Sequence, residues 1–327
     1  MNNSTSKVLV TGANGFLGAH LCKRLLNEGF LVSALVRKNS DLSEIEGLPL
    51  NKVYGDVTNA ESLESAFRNQ DIVFHLAGFV GYKKAERPLM DLVNVTGTKN
   101  VVDTCVKLHT HKLLHLSSVV AIGASFEPKA MTEKSEYNLG PLNLGYYETK
   151  HLAEKIVMSA VANKNLNAVC VNPSTIYGAA DAKKGSRKTQ VKVARGKFPF
   201  YTSGGVNVVA VEDVLDGILA AVEKGKIGER YLLTADNILI KSLFEQIAAF
   251  AGVDAPKILI PNWLLHTVGK FGDRFGVGPS QENAWSATLF NWFDSTKART
   301  ELGFKPKPSS VAIENSVRWM KDNGLLN

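Results

Sequence analysis

The first half of the chain alternates between short apolar runs and longer stretches in which apolar residues recur every three to four positions. Short apolar runs bounded by turn residues are typical of buried strands, and the longer spacing is typical of helices that pack one face on a sheet. Such alternation predicts an α/β fold with a doubly wound parallel sheet and helices on both faces. We predict strands at residues 8–10, 31–36, 52–54, 71–76, 112–116 and 167–171, and helices at residues 16–27, 89–109 and 146–162.

The pattern changes beyond Pro173. Helical segments dominate there, and glycines and prolines interrupt them. Two strand-like runs remain, at residues 206–211 and 230–233. We interpret this part of the chain as a smaller, mostly helical, substrate-binding lobe that lies over the edge of the sheet. We predict a sheet domain over residues 1–175, completed by parts of 206–235, and an interleaved lobe over residues 176–327.

Composition and charge fit an ordinary globular protein. Of the 327 residues, 45% are hydrophobic and 21% are charged, and the net charge is +7. The densest basic cluster consists of Lys183, Lys184, Arg187 and Lys188, and no nucleic-acid motif accompanies it. We therefore predict that this cluster is a solvated surface and that nucleic acid is not a partner.

Three cysteines, Cys22, Cys105 and Cys170, are scattered and lack metal-ligand spacing, so we expect buried thiols and no metal site. A sparse, odd number of cysteines suits a reducing compartment, and we predict a cytoplasmic protein. No apolar run reaches about 18 residues, so we predict no membrane span. The most apolar C-terminal stretch, residues 258–275, is amphipathic. We expect it to pack in the core or to cover a pocket rather than to contact a membrane.

A glycine-rich turn, Thr11-Gly12-Ala13-Asn14-Gly15-Phe16-Leu17-Gly18, follows the first predicted strand and opens the first predicted helix. In this context the first glycine permits a tight turn, the second lets the backbone approach a pyrophosphate, and the third lets helix and strand pack closely. The helix N-terminus then offers N–H groups and a positive dipole end to the phosphates. We therefore predict a Rossmann-type dinucleotide-binding domain. Its cofactor contacts here are Thr11, Gly12, Asn14, Gly15, Phe16, Leu17 and Gly18.

Basic side chains follow the second predicted strand, where NAD-binding chains usually place an acidic residue for the ribose hydroxyls. Arg37 and Lys38 stand here, followed by Ser40 and only then by Asp41. A guanidinium offers forked donors to a 2′-phosphate. An ordinary solvated basic loop is the alternative interpretation of the same residues. We predict that Arg37 and Lys38 bind the cofactor and that the cofactor is NADP(H), with NAD(H) less favoured.

Tyr146 and Lys150 stand four residues apart on a predicted helix, so their side chains share one face. A neighbouring ammonium stabilises a phenolate and lowers the pKa of the phenol, which makes it a proton donor and acceptor near neutral pH. A tyrosine and a lysine at this spacing also occur commonly by chance on the exposed surface of a helix. Here, however, Ser117 and Ser118 end the fifth predicted strand, at the sheet edge that faces the ligand crevice in such folds. We predict Tyr146 and Lys150 as catalytic residues, together with a hydroxyl of the pair Ser117 and Ser118.

With these motifs in this order, nearly the whole chain resembles the extended short-chain dehydrogenases/reductases. Further matching motifs are Gly55-Asp56-Val57, His75-Leu76-Ala77-Gly78, Asn94-Val95-Thr96-Gly97-Thr98 and Asn172-Pro173-Ser174. The resemblance implies that Ser118 orients a substrate carbonyl, that Tyr146 transfers a proton, and that Lys150 tunes Tyr146 and holds the nicotinamide ribose. It also implies cofactor contacts from Asp56, Val57, Leu76, Ala77, Gly78, Asn94, Ser117, Tyr146, Lys150, Pro173, Ser174 and Thr175.

Two branches of this resemblance compete. Nucleotide-sugar epimerases and dehydratases usually carry an arginine shortly before the segment that corresponds to Val211-Glu212-Asp213, and the run from Gly204 to Ala210 has none. This run resembles instead the branch similar to dihydroflavonol reductases, which reduce ketones or aldehydes with NADPH. We therefore expect an NADPH-dependent carbonyl reductase. An NAD-dependent nucleotide-sugar epimerase or dehydratase is the alternative, and a non-catalytic NADP(H)-sensing regulator is a further alternative.

Aromatic residues follow the fourth predicted strand and recur in the second lobe, Tyr82, Tyr177 and Phe198 among them. They line an apolar pocket if they face the crevice, and ordinary core packing is the alternative interpretation of each. We therefore expect a small, apolar carbonyl compound as the substrate. The resemblance adds a homodimer through the long helices. His75 and His115 lie inside predicted strands, and we interpret them as core histidines rather than metal ligands.

Overall fold

Strands and helices alternate through the first half of the chain, and helices predominate in the second half, as the sequence predicts. The computed structural model describes residues 6–183 and 187–326. Its strands, numbered in chain order, are β1 Lys7–Thr11, β2 Leu31–Val36, β3 Asn51–Tyr54, β4 Ile72–His75, β5 Lys112–Leu116, β6 Ala168–Pro173, β7 Thr175–Tyr177, β8 Phe200–Tyr201, β9 Gly205–Ala210, β10 Arg230–Leu233, β11 Asp236–Leu239, β12 Ile258–Leu259 and β13 Phe290–Asn291. Its helices are α1 Phe16–Asn27, α2 Leu63–Phe67, α3 Arg87–Met90, α4 Gly97–Lys107, α5 Gly145–Lys164, α6 Lys188–Ala194, α7 Val211–Lys224, α8 Ile240–Ala251, α9 Asn262–Phe275, α10 Gln281–Thr288, α11 Thr296–Leu302 and α12 Ser309–Asp322.

Within the described residues, a seven-stranded parallel sheet forms the centre of the molecule, in the order β10-β6-β5-β4-β1-β2-β3. β1 lies between β4 and β2, with Val10 opposite Phe74 on one side and Ala34 on the other. The chain first winds outward to β3 and then returns past β1 to β4. A reversal of this kind opens a crevice at the carboxyl ends of the central strands. The prediction of a Rossmann-type, doubly wound parallel sheet is confirmed.

Helices cover both faces of the large sheet. On one face α1 and α7 pack side by side, and Leu21 and Ile218 belong to the same buried core. On the other face α2, α4 and α5 contribute Phe67, Val101 and Val157 to a second core. The strands are apolar on both sides, so both faces of the sheet need a layer of helices.

The second half of the chain builds a small sheet and a core of its own. β9 lies between β11 and β13, and β7 also pairs with β9. α8 and α12 pack on this sheet, with Phe244 and Ile313 in the shared core. Between β9 and β11 the chain returns to the large sheet as β10, beside β6. The division of the chain at residues 175 and 176 stays a prediction.

The helix predicted at residues 89–109 is present but is not uniform. α3 leads into a π-helical segment, Asp91–Thr96, which leads into α4. The wider segment turns Asn94 into the interior, where it is buried. Gly97 follows at a point of close packing, because a Cβ there would lie 3.0 Å from Val57 Cγ2. The departure from a regular helix therefore brings Asn94 toward the sheet edge.

The basic cluster differs in part from the prediction. Lys183 and Lys188 are exposed, as expected for a solvated surface, whereas Lys184 lies outside the described residues. Arg187 is buried, which contradicts the prediction. Its guanidinium lies 3.9 Å from the centre of the Tyr177 ring and 3.4 Å from the Asp181 carboxylate. Both contacts compensate for the loss of water around the cation.

The C-terminal amphipathic stretch also differs from the expected packing. Trp263, Phe271 and Phe275 of α9 are 69%, 59% and 63% exposed. The buried residues of α9 are Gly269 and Gly272. Packing of the apolar side chains in the core was therefore the wrong expectation, because the glycine side of the helix faces the protein. In the described part of the chain, no helix has the length and hydropathy needed to cross a membrane.

Candidate active site

The glycine turn between β1 and α1 depends on close backbone packing. Gly12 has a φ of +70°, and a Cβ there would lie 2.8 Å from the Ala77 nitrogen. A Cβ on Gly18 would lie 2.0 Å from the Gly12 carbonyl oxygen. Neither position admits a side chain without a backbone shift. The first and third glycines thus have the roles in turn formation and packing that the sequence predicts.

The N-terminus of α1 has the chemical character of a phosphate site. Gly15 stands at the N-cap without a capping side chain in the described structure, and the first turn of α1 carries no acidic residue. The Gly15 N–H turns back to the Gly12 carbonyl at 3.0 Å. A helix start of this kind carries partial positive charge that favours an anion. These residues fit a pyrophosphate, and the contacts of Gly15, Phe16 and Leu17 with a dinucleotide stay predictions.

Thr11 and His75 tie the glycine turn to the end of β4. Thr11 Oγ1 lies 2.8 Å from His75 Nδ1 and accepts a hydrogen bond from the Ala77 N–H at 3.1 Å. His75 Nε2 lies 3.1 Å from Thr98 Oγ1, and the His115 ring is buried beside it at 5.3 Å between centroids. Burial lowers the pKa of His75 to about 3, so the imidazole is neutral. Both histidines are buried as interpreted, and the Thr11 side chain supports the turn.

Arg37 and Lys38 are exposed directly after β2, and no ion pair engages either of them within residues 6–183 and 187–326. The Asn14 amide donates to the Asp41 carbonyl at 2.9 Å, which joins this loop to the glycine turn. The Asp41 carboxylate accepts the Ser43 N–H at 2.9 Å and so has a role within the loop. Both cations are therefore available to a phosphate, and their binding of one stays a prediction.

Asp56 and Val57 follow β3 and shape the next turn. Asp56 Oδ1 accepts hydrogen bonds from the Thr58 N–H at 2.9 Å and from the Thr58 hydroxyl at 2.8 Å. Val57 is buried, and the Asn100 amide donates to its carbonyl at 2.8 Å. These contacts hold the turn at the carboxyl edge of the sheet. Contact of Asp56 and Val57 with an adenine stays a prediction.

Ser117 and Ser118 lie at the carboxyl end of β5. The Ser117 side chain is buried, whereas Ser118 begins a short 3₁₀ turn in which its Oγ accepts the Val120 N–H at 3.4 Å. Lys150 Nζ donates to the Leu116 carbonyl at 2.8 Å. The ammonium of Lys150 is therefore held beside the strand that ends in Ser118.

Tyr146 lies in the first turn of α5, one turn before Lys150. Burial raises the pKa of the Tyr146 phenol above its ordinary value, and Tyr82 adds to the shift, whereas the nearby Ser118 hydroxyl acts in the opposite direction. The net direction is opposite to our expectation, because desolvation of the phenolate outweighs the favourable contact. Burial also lowers the pKa of Lys150, to about 8. The structure thus brings Ser118, Tyr146 and Lys150 together.

A buried polar network lies behind Lys150. Glu154, one turn further along α5, accepts a hydrogen bond from Asn172 Nδ2 at 2.6 Å and pairs with Arg230 at 2.9 Å. Asn172 Nδ2 also donates to the Ser118 carbonyl at 3.0 Å. Glu154 raises the pKa of Lys150 and so opposes the effect of burial. The network fixes Ser118 and favours the cationic form of Lys150. In the sequence, the only signal for Glu154 is its position four residues after Lys150.

Asn94 connects the loop after β4 to α5. Its Oδ1 accepts the Phe79 N–H at 2.7 Å, and its Nδ2 donates to the Phe79 carbonyl at 2.9 Å. Nδ2 also donates to Thr149 Oγ1 at 3.1 Å. Both ends of the amide are therefore engaged by protein groups. Asn94 fixes the loop that contains Ala77 and Gly78, and its direct contact with a cofactor stays a prediction, as do those of Leu76, Ala77 and Gly78.

Pro173, Ser174 and Thr175 carry the chain from the large sheet to the small one. Pro173 ends β6, and Thr175 begins β7. The Ser174 hydroxyl donates to Asn207 Oδ1 on β9 at 2.6 Å. The segment is thereby fixed at the sheet edge, and its predicted position near a nicotinamide stays a prediction.

The aromatic residues expected around the crevice divide into two groups. Tyr82 lies close enough to Tyr146 for the charge of one phenolate to raise the pKa of the other phenol. Tyr177, by contrast, is fully buried, and Phe198 packs edge-on against Phe244 in the core of the second half. Of the two interpretations, core packing therefore applies to Tyr177 and Phe198, because both complete a core that the small sheet needs.

Glu282 of α10 caps the helix that carries Tyr146, a role that the sequence does not reveal. Leu144 stands at the N-cap of α5 and provides no capping side chain. The buried Glu282 carboxylate accepts the Gly145 and Tyr146 N–H groups, each at 2.9 Å. Burial raises the pKa of Glu282 to about 7, and the two N–H groups and Arg87 act in the opposite direction. Glu282 follows Tyr146 by 136 residues, so no local pattern points to it.

Comparisons with known proteins agree with this geometry. Over residues 8–233 the chain matches the NAD dependent epimerase/dehydratase family. A protein of Synechocystis sp. named putative dihydroflavonol 4-reductase is 29% identical over 328 residues, which span 97% of this chain and 95% of the relative. Sterol demethylase protein B of Methylococcus capsulatus is 29% identical over 330 residues, 97% of this chain and 99% of that protein.

A solved structure agrees over the same extent. The crystal structure of gox2253 is 31% identical, covers 98% of this chain and 100% of its own, and superposes with a TM-score of 0.88. The parallel sheet, the glycine turn and the grouping of Ser118, Tyr146 and Lys150 are consistent with these matches. The chain belongs to the NAD-dependent epimerase/dehydratase family, within the extended short-chain dehydrogenases/reductases.

Proposed function

We propose that this protein is an NADPH-dependent reductase of a ketone or an aldehyde. The observation that carries the proposal is the placement of Ser118 beside the first turn of α5, where the Tyr146 phenol lies close enough to the Ser118 hydroxyl to interact with it. One turn further along α5, Lys150 donates to the Leu116 carbonyl on the strand that leads to Ser118. Carbonyl reduction needs a group that orients the carbonyl oxygen and a proton donor at the same oxygen. The two hydroxyls meet both needs at the crevice edge of the sheet.

The cofactor, when bound, supplies a hydride, and thus two electrons, to the carbonyl carbon. Ser118 Oγ–H donates a hydrogen bond to the carbonyl oxygen and holds it in position. Tyr146 Oη–H gives its proton to that oxygen, so the product is an alcohol, and the ammonium of Lys150 stabilises the phenolate that remains. Negative charge on the oxygen develops in the transition state, so these donors act where stabilisation raises the rate.

The upward shift of the Tyr146 pKa suits this role. A phenol with a raised pKa keeps its proton near neutral pH and releases it only to a stronger base, such as an alkoxide. Lys150, with a pKa of about 8, is mainly cationic at neutral pH. Its bond to the Leu116 carbonyl holds the ammonium beside β5, and the negative charge of Glu154 favours the cationic form.

The preference for NADPH rests on the loop after β2. Arg37 and Lys38 are exposed there, and the carboxylate of Asp41 accepts a hydrogen bond from Ser43 within the loop. The backbone bond from Asn14 to Asp41 keeps this loop beside the phosphate turn. A 2′-phosphate would therefore meet two cations, whereas the ribose hydroxyls of NADH would find no carboxylate at the usual place.

The relatives support an apolar substrate. Their names refer to a dihydroflavonol and to sterols, so we propose an apolar carbonyl compound as the substrate class. Tyr82 is the aromatic side chain beside Tyr146 that would contact it.

A nucleotide-sugar epimerase or dehydratase that uses NAD is the second candidate, because the family name includes both activities. Its substrate carries a diphosphate, which needs cationic partners in the crevice. Arg187 is the observation in its favour, since this buried cation lies close enough to Tyr82 to lower the pKa of that phenol. The guanidinium already contacts the Tyr177 ring and Asp181, however, so we favour the reductase.

The experiment that separates the two candidates uses the purified protein. NADPH and NADH are titrated by fluorescence, and NADPH oxidation is then measured with a panel of apolar ketones and aldehydes and with nucleotide sugars. We expect tighter binding of NADPH and its oxidation by at least one apolar carbonyl compound. Retained NAD, indifference to added NADPH and conversion of a nucleotide sugar would overturn the proposal.

A further inference from the structure

The surface formed by β12, α9 and the residues just after α9 exposes large apolar side chains at unusual density. Isolated apolar residues are normal on a protein surface, but a contiguous apolar patch marks a site of interaction. Each of these side chains is between 38% and 71% exposed. We call this surface the α9 face, and its members are Ile258, Leu259, Trp263, Leu264, Val268, Phe271, Phe275 and Val277.

The apolar residues of α9 form one stripe. Leu264, Val268, Phe271 and Phe275 are spaced by four, three and four residues, so they share one side of the helix. The rings of Phe271 and Phe275 stack at 5.8 Å between centroids. The stripe is therefore a continuous surface rather than a set of separate side chains.

Polar and close contacts on the opposite side of α9 fix the direction in which the stripe points. A Cβ on Gly269 would lie 3.0 Å from the Ser280 carbonyl oxygen, so α10 packs directly on the backbone of α9. His266 Nδ1 lies 3.2 Å from Gln281 Nε2, and His266 Nε2 lies 3.3 Å from Thr288 Oγ1. Rotation of α9 to bury the stripe would break these contacts.

Positive charge borders the stripe. Lys270 lies seven residues after Trp263, and Arg274 lies four residues after Lys270. These helical intervals place the three side chains together along one margin of the stripe. Neither cation forms an ion pair in the part of the chain that the structure describes. Asp273, the acidic residue of α9, is also exposed, but it lies on the side of the helix next to α10, where it accepts the Gln281 N–H at 3.3 Å. The side of the helix that points away from α10 is therefore apolar and cationic.

We propose that the α9 face docks on an anionic lipid surface. A helix with an aromatic and aliphatic stripe and a basic margin lies in the plane of a membrane interface, with the stripe among the acyl chains and the cations at the headgroups. A second copy of the chain fits less well. Antiparallel symmetric pairing of this face would bring Lys270 and Arg274 of one copy near the same residues of the other.

Docking would place the crevice close to the lipid. α10 packs on α9 and carries Glu282, which accepts the Tyr146 N–H. The α9 face is thus separated from the catalytic helix by a single helix. A carbonyl compound dissolved in the membrane would reach the site without crossing water, which extends the proposed function. Docking itself requires none of the catalytic residues, so vesicle binding and carbonyl reduction succeed or fail separately.

The test is co-sedimentation of the full chain with vesicles of phosphatidylcholine, with and without phosphatidylglycerol. We expect the protein to sediment with the vesicles that contain phosphatidylglycerol. Phe271→Ser combined with Phe275→Ser lowers the partition coefficient by at least about tenfold, because two exposed aromatic rings no longer enter the lipid. Lys270→Glu combined with Arg274→Glu also lowers it about tenfold or more, through the lost attraction to anionic lipid.

A matched control is Ile227→Ser, which changes a 59% exposed apolar residue outside the α9 face and leaves sedimentation unchanged. Circular dichroism establishes that each variant is folded. The proposal is overturned if the parent ignores the anionic vesicles, or if the double serine variant sediments like the parent. It is also overturned if the parent ignores vesicles and forms a dimer that the double serine variant loses, which would assign the face to a second copy.

Discussion

The carboxyl edge of the large sheet and the α9 face differ in whether their characteristic side chains are buried or exposed. At the sheet edge Lys150 and Asn94 are buried and bonded to protein groups. On α9 the notable side chains are apolar and exposed, and the contacts with the protein are made by glycines and by His266. Hydrogen bonds at the sheet edge fix the geometry of the site, whereas no group in residues 6–183 and 187–326 covers the apolar side chains of the α9 face.

The difference shows which sequence patterns have a single structural outcome. A strand in the middle of a parallel sheet is covered on both faces, so the residue that follows it must lie at the crevice. An amphipathic helix only requires that its apolar side be covered by something. The pattern does not say whether that cover is the same chain, another chain or a lipid.

Among the changes at the sheet edge, Tyr146→Phe should reduce activity most. We expect turnover to fall by about 10²–10⁴-fold, since the proton donor at the carbonyl oxygen is lost. NADPH affinity should remain within about twofold, because the glycine turn and the loop after β2 are untouched. Steady-state kinetics and a fluorescence titration measure the two quantities.

The matched control for that change is Tyr147→Phe. Tyr147 is the neighbouring tyrosine, and its hydroxyl bonds to Ser286 on α10 and to Asn291 on β13. Its removal costs packing and hydrogen bonding but no proton transfer. Equal losses of turnover in the two variants would contradict the assignment of Tyr146 as the proton donor.

Glu282→Gln tests whether the cap on α5 titrates near neutral pH. The pKa of Glu282 is raised to about 7 in the folded chain, first by burial, with Asp273 adding to the shift and Arg87 opposing it. A raised carboxyl pKa means that folding favours the protonated form. The parent should therefore lose stability relative to the variant as pH rises from about 4.5 to 7, by a few kcal/mol at most.

Urea unfolding of parent and variant at pH 5 and pH 7.5 measures this difference. Glu314→Gln, which removes an exposed carboxylate on α12 that pairs with Arg318, is the control for the loss of a carboxylate outside the cap, since that variant keeps Glu282. A gap between the parent and Glu282→Gln that stays constant with pH would contradict the titration assigned to Glu282.

Arg37→Asp tests the choice of cofactor. The new carboxylate repels a 2′-phosphate and can accept the ribose hydroxyls, so the NADPH dissociation constant should rise roughly ten- to a hundredfold. Arg318→Asp, on the surface of α12, is the control and should leave NADPH binding unchanged. A variant at Arg37 that kept its preference for NADPH would overturn the role of this loop.

The smallest effect concerns the stability of the α9 face. Phe271→Ser with Phe275→Ser should change the free energy of unfolding by no more than about 0.5 kcal/mol per site, because both rings are already in contact with solvent. Leu243→Ala on α8, where the side chain is buried, should cost about 2–5 kcal/mol. Similar losses from both changes would mean that the rings of α9 are buried in solution.

The parts of the structure that could be predicted are those with local causes. The strands near Val10 and Leu116 follow from short apolar runs, and the glycine turn follows from backbone sterics at Gly12. Tyr146 and Lys150 follow from helical spacing. In each case the residues that decide the outcome lie within a few positions of one another.

The parts that could not be predicted depend on contacts between distant segments. Glu282 reaches Tyr146 from α10, and Arg230 reaches Glu154 from β10. Neither composition nor periodicity contains such pairings.

The most direct measurement of the central claim follows the hydride. NADPH that carries deuterium at the transferred position of the nicotinamide is incubated with the protein and the panel of apolar carbonyl compounds, and the products are examined by mass spectrometry. The account predicts an alcohol with one deuterium on the carbinol carbon, formed in step with NADPH consumption and lost in Tyr146→Phe. Products without deuterium, or turnover without net NADPH consumption, would contradict it.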